Sequence, residues 1–409
     1  MISPILLRPV HSAYQRQGDT MPTYISRRKI IRGGLAGLGL ASLNLPLWAL
    51  PALAQGETNV TFLDFPPTFN PNPRAGSRFL DTRTINNFIT PADQYYTYQH
   101  FAQPMVDPAT FKLKVAGMFS KPKDFSLAEL QALRPPLEQI VAYECGGNGS
   151  RNAQGMVSNG RWKGIALSTL LKSCGVSSNA VDIAFYAADF EATDVTHGGR
   201  GAIHIDKAYF ARSISLEHAM KPEPMLAWEL NGAPLTVNQG APLRVIVPGW
   251  YGVAQVKWVN HIQAQPNRLV SRFMSRDYVT VRERKVGDEV EMVEYTVGPI
   301  QLKSIVSRAT QTGTTVNIMG FALTDLTPLK SVEVSIDGGP WQAATLDKQN
   351  TATSWKIFSF KWNGATPGEH TVVSRATDVN GLVQAAVADS SKKTIWENPE
   401  QMIRKIMVS

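Results

Sequence analysis

The sequence predicts an α+β domain followed by a β-sandwich. Between about residues 80 and 290, short strands of alternating polarity mix with short capped helices. From about residue 295, period-two strands follow one another with turn residues between them and no helical pattern. At 409 residues, 43% hydrophobic and 18% charged, the chain has room for two or three ordinary globular cores.

Residues 1–54 carry Arg8, Arg16, Arg27, Arg28, Lys29 and Arg32 against Asp19. Ser26-Arg27-Arg28-Lys29-Ile30-Ile31-Arg32 is a twin-arginine signature. A weakly apolar run from Gly33 to Leu53 follows, and Ala52-Leu53-Ala54 suits cleavage. This segment therefore reads as a cleaved export signal, with export of the folded protein to the periplasm and no membrane span remaining after processing. The whole chain is +8; without residues 1–54 it has 35 basic against 32 acidic residues, or +3. That balance gives no reason to expect a nucleic-acid partner.

Residues 55–95 are polar and proline-rich and read as an irregular lead-in to a catalytic domain over 55–290. Phe111–Gly117 alternates as a half-buried strand, and Ser126 caps a short helix that Pro135 stops. Val141–Glu144 is a strand, Leu167–Lys172 a helix, Val181–Ala187 a strand, and Leu243–Gly249 a strand with Arg244 facing inward. In the sandwich, 295–409, strands are expected at Thr314–Ile318, Ser331–Ile336, Trp355–Phe360 and His370–Ser374. Asp337-Gly338-Gly339 and Pro367-Gly368 supply turns between them.

The chemistry gathers at Glu144-Cys145-Gly146-Gly147-Asn148-Gly149-Ser150-Arg151. The residues after Cys145 tolerate positive φ, so backbone can pass close to a bound group. A thiolate there is a soft ligand for a transition metal. A buried apolar cysteine, or a disulfide with Cys174, is the plainer reading. Zinc does not suit a chain with two cysteines and no partner at ligand spacing.

Four segments give the chain a resemblance to the sulfite oxidase family of molybdopterin enzymes. They are Glu144–Asn148, Arg161-Trp162-Lys163-Gly164-Ile165-Ala166-Leu167, Gly240–Gly252 with Val256-Lys257-Trp258, and the C-terminal stretches Val332–Trp341 and Ser374–Asp378. The resemblance implies molybdenum held by molybdopterin, with Cys145 its one protein ligand. It implies pterin contacts at His100, Asp189, Gln239, Arg244, Gln255, Val256 and Lys257, an active-site tyrosine at Tyr278, and Trp162 along the substrate pocket. It also implies an immunoglobulin-like dimerisation domain, hence a homodimer.

The expected reaction is oxidation of sulfite, a small anion, to sulfate. With no Cys-x-x-Cys-His in the sequence, electrons would pass to a separate acceptor such as a c-type cytochrome. Some positions depart from the family pattern. Tyr98-Gln99-His100 stands where the family has Arg-Asn-His, Gln239 where it has a histidine, and Lys356 where it has a pocket arginine. Arg151, displaced by Gly149, is the expected substitute for the lost positive charge. These departures leave a related enzyme of sulfane sulfur or sulfoxides as the alternative, and a non-catalytic binding subunit of the same fold as a second.

Overall fold

The computed structural model describes residue 53, residues 55–66, 69–196 and 201–409, all within one compact unit. The twin-arginine motif and most of the cleavage site lie outside the described residues.

The first part holds two five-stranded sheets. One runs Ala233–Pro234, Met225–Leu230, Val157–Ala166, Pro136–Glu144, with Arg244–Ile246 also paired to Met225–Leu230. The other runs Lys123–Phe125, Leu113–Gly117, Val259–Gln265, Asp182–Thr196, Ala202–Ser215. The short helices lie where the sequence puts them, at Leu127–Ala132 and Leu167–Ser173. Ser126 forms a full capping box: its hydroxyl accepts from Glu129 N–H, and Glu129 accepts from Ser126 N–H.

The C-terminal part is a β-sandwich of two five-stranded sheets. Its core joins Val306, Ile318 and Phe358 of one sheet to Val332, Val372 and Ile406 of the other. The four expected strands form, each longer than expected: Thr315–Leu323, Leu329–Ile336, Lys356–Asn363 and Gly368–Asp378.

Two findings differ from the expectation. The 55–95 segment is not wholly irregular: Thr58–Asn59 pairs with the Lys303–Thr312 strand, and Thr61–Phe62 with Arg404–Val408. The sandwich is therefore completed from the N-terminal side, across the boundary near 295. Val279–Val286 and Glu289–Thr296 also form a hairpin, which their charge-rich sequence conceals.

Candidate functional site

Cys145 leaves the end of the Pro136–Glu144 strand and enters a turn tied on every side. Its N–H donates to Met156 O at 2.9 Å, and its carbonyl accepts from Asn148 N–H at 3.0 Å. Asn148 Nδ2 donates to Glu144 Oε1 at 2.8 Å, and Asn148 Oδ1 accepts from Met156 N–H at 3.0 Å. The glycines act here through the Cβ they lack, not through positive φ. A Cβ on Gly146 would lie 3.1 Å from Val297, and one on Gly147 would lie 3.0 Å from Trp396. The left-handed residues of this loop are instead Ala153 and Gln154.

Cys145 and Cys174 are both free and buried, so no disulfide joins them. Burial pushes the Cys145 thiol up, against smaller lowering contributions from Gly147 N–H and Tyr96. A cation bound directly to the sulfur would hold it as the thiolate.

The sulfur opens on two cavities. The first is lined by Cys145, His100, Asp189, Arg244, Gln255, Lys257 and Tyr278. Arg244 is buried; its Nη1 donates to Gln239 O at 2.8 Å and its Nη2 to Gln255 O at 3.0 Å. Its Nε and Asp189 Oδ1 are buried without a partner among the described residues. Desolvation, then Arg244, lowers Lys257 to about 7, while desolvation raises Asp189 to about 6. Two cations facing one carboxylate leave this cavity short of negative charge.

The second cavity is lined by Cys145, Arg74, Tyr98, His100, Tyr278 and Trp396. Tyr278 Oη and His100 Nε2 share a hydrogen bond of 3.0 Å. Trp396 stacks on Tyr278 with centroids 4.4 Å apart. Glu397 N–H donates to Gly146 O at 2.7 Å, which fastens the C-terminal strap over the cysteine turn.

Several expected residues lie elsewhere. Arg151 is exposed on the 3-10 turn Ser150–Asn152 and lines neither cavity, because that turn carries it away from the sulfur. Trp162 is fully buried and also lines neither; it backs the site, with Arg244 4.9 Å from its ring and Tyr95 edge-on at 5.6 Å. Val256 packs in the main core, and its carbonyl accepts from Val245 N–H at 2.8 Å.

Gln239 lines a neighbouring cavity with Arg74, and its side chain caps Thr236. The Gln255 amide is committed to Val247 N–H and Val247 O, both at 2.7 Å. Lys356 is buried outside both cavities, its Nζ donating to the carbonyls of Thr351, Ala352 and Ser354. Arg161 pairs with Glu138 on the surface. Sequence reasoning missed Arg74 and Trp396. Both sit in segments without periodicity, and only the fold brings them to the sulfur.

His100 makes stability pH-dependent. Burial, then the charge of Arg74, lowers it from 6.5 to about 4. Above pH 6.5 both folded and unfolded chains hold it neutral. As pH falls from 6.5 towards 4, the unfolded chain takes up the proton first, so stability is lost over that window. The expected loss is about 2 kcal/mol after allowance for partial exposure. Asp189 works in the opposite direction below pH 6. Urea melts of wild type and His100→Asn between pH 7 and 4.5 isolate the histidine, and parallel pH slopes would contradict this account.

Residues 100–272 match the family described as "Oxidoreductase molybdopterin binding domain". The chain is similar to mitochondrial sulfite oxidase of Homo sapiens, 30% identical over 306 residues, covering 67% of this chain and 53% of that one. It is 28% identical to sulfite oxidase of Gallus gallus, covering 73% and 68%. It is 29% identical to nitrate reductase (NADH) 1 of Arabidopsis thaliana, covering 67% and 32%. The chain spans about half the length of several of the curated relatives it matches. In fold it resembles the sulfane dehydrogenase SoxCD from Paracoccus pantotrophus, with a TM-score of 0.69 at 20% identity over 91% of this chain and 95% of that one. With a molybdopterin-binding domain around buried Cys145 and a β-sandwich after it, the chain belongs to the sulfite oxidase family of molybdopterin-dependent oxidoreductases.

Proposed function

We propose that this chain is a molybdopterin enzyme that oxidises sulfite to sulfate and hands its electrons to a separate acceptor, a c-type cytochrome. We also propose export by the twin-arginine route and a homodimer built on residues 295–409. One observation carries the enzymatic reading: Cys145 stands between a cavity lined by Lys257 and by buried Arg244 and Asp189 and a second cavity lined by Arg74, Tyr278 and Trp396.

The first cavity fits molybdopterin. Its anionic phosphate suits Arg244 and Lys257, and the unpartnered Arg244 Nε and Asp189 Oδ1 offer polar contacts. Among the described residues no three His, Cys, Asp or Glu side chains gather to hold a metal. A metal at Cys145 must therefore bring other ligands with it. When bound, the molybdenum group supplies the oxygen transfer and the two-electron change. The chain's own residues hold the sulfur, keep His100 neutral at pH 7 through burial, and fix the Tyr278 hydroxyl against it.

Ferricyanide reduction by purified protein with sulfite, thiosulfate or sulfoxides tests this reading. Sulfite turnover is expected. Thiosulfate or sulfoxide turnover without sulfite would favour the second reading, an enzyme of another sulfur compound, which Tyr98 in place of an arginine supports. Protein without molybdenum and without turnover would leave the binding-subunit reading. Light scattering tests the dimer, and a monomer at micromolar concentration would count against it.

A further inference from the structure

At Tyr98, where the resemblance implies an arginine, a guanidinium from another segment lies against the ring. The loop ahead of it is pinned beside Tyr98 by an isolated bridge: Arg78 N–H donates to Thr97 O at 2.8 Å and Thr97 N–H to Arg78 O at 2.9 Å. Ser77 N–H donates to Arg74 O at 3.1 Å, which closes a tight turn. Gly76 in that turn has φ +71°, a left-handed conformation that favours glycine.

The result is a held guanidinium. Arg74 Cζ sits 3.9 Å over the Tyr98 ring centroid. Its Nε donates to Ser77 Oγ at 3.2 Å and its Nη2 to Gln99 O. Nη1 has no hydrogen-bond partner among the described residues, and no carboxylate among them pairs with the side chain. The nearest carboxylate lining the cavity, Asp277, is instead engaged by Arg272 Nε at 2.6 Å. An arginine held over an aromatic face by hydrogen bonds loses little further freedom when it takes up an anion.

We infer that Arg74, shelved on Tyr98, is the cationic end of an oxyanion subsite in the substrate cavity at Cys145, and that it selects oxo-sulfur anions over uncharged sulfoxides. Tyr98 thus moves the positive charge to a neighbouring loop instead of abolishing it. Buried Tyr278 and Met156 and half-buried Trp396 wall the cavity, while Arg74 itself is exposed to solvent, so its pull on a small anion is screened by salt. The inference rests on the proposed oxidation of a sulfur anion, and it adds the residue that recognises the charge.

The test is calorimetric titration of sodium sulfate into the purified holoprotein at low ionic strength. Arg74→Ala should bind sulfate about tenfold more weakly, equal to about 1.4 kcal/mol. Arg74→Lys should fall between the two. Arg74→Ala/Tyr98→Arg should recover to within about threefold of wild type, because the charge returns by the other route. In turnover, Arg74→Ala should raise KM for sulfite about tenfold with kcat within about twofold, and leave KM for dimethyl sulfoxide unchanged if that compound reacts. Circular dichroism confirms folding of each variant. Equal sulfate affinity in wild type and Arg74→Ala, or no sulfate binding by wild type, would overturn the inference. Absent sulfite turnover with Arg74-dependent sulfate binding would instead sink sulfite as substrate and leave the subsite standing.

Discussion

Cys145→Ser gives a folded protein whose turnover has dropped by at least about 10³-fold, roughly 4 kcal/mol of transition-state free energy. Folding survives because the turn is held by other groups. The backbone bonds to Met156 and Asn148 and the Asn148–Glu144 contact remain. Activity does not survive because serine offers a hard, weakly acidic oxygen where the chain presents its lone soft donor to both cavities. Cys174→Ser is the control. Cys174 is 2% exposed in the apolar core and reaches neither cavity, so the variant keeps turnover within about twofold and loses only about 1–2 kcal/mol of stability. The two variants assayed side by side with ferricyanide decide the matter, and equal activities would remove Cys145 from the chemistry.

Lys303→Met is the variant with the largest expected loss of stability. Lys303 starts the first long strand of the sandwich, yet its Nζ lies 2.7 Å from Glu144 Oε1 and 2.8 Å from Gln154 Oε1. The two charged side chains are 2% and 1% exposed. Removing the lysine leaves a carboxylate buried beside Cys145 with Asn148 as its remaining donor, at a cost of about 3–5 kcal/mol. The bond to Gln154 also braces Gln154 and Ala153, whose left-handed φ values of 57° and 49° cost about 1 kcal/mol or more each. Lys303→Met/Glu144→Gln should recover more than about 2 kcal/mol of that loss, because no charge is then stranded. Urea denaturation of the two variants measures this. A single-variant loss below about 1 kcal/mol would show that the ion pair does not hold the turn.

What could be read from the sequence follows from where the relevant physics is local. The strands of the sandwich announce themselves because alternate residues face one core, as in Val332 and Val334 of Leu329–Ile336. Ser126 and Glu129 predict their helix start because a capping box is three residues long. Arg244 was legible as an inward-facing charge on an apolar strand, and it is buried at the site.

Arg74 and Trp396 were not legible, since each reaches the cavity at Cys145 from a distant stretch of chain, out of loops with no repeating pattern. Arg151 misled for the opposite reason. Six residues from Cys145 in sequence, it follows a turn that carries it to the surface. Lys303 gives no local sign of its role either, because its partner Glu144 lies 159 residues earlier.

The central claim is that Cys145 ligates molybdenum carried on a pterin. Molybdenum-edge X-ray absorption on the purified protein tests it most directly. The account predicts bound molybdenum in wild type and one sulfur scatterer fewer in Cys145→Ser than in wild type. A wild-type protein free of molybdenum, or a sulfur shell unchanged by Cys145→Ser, would contradict it.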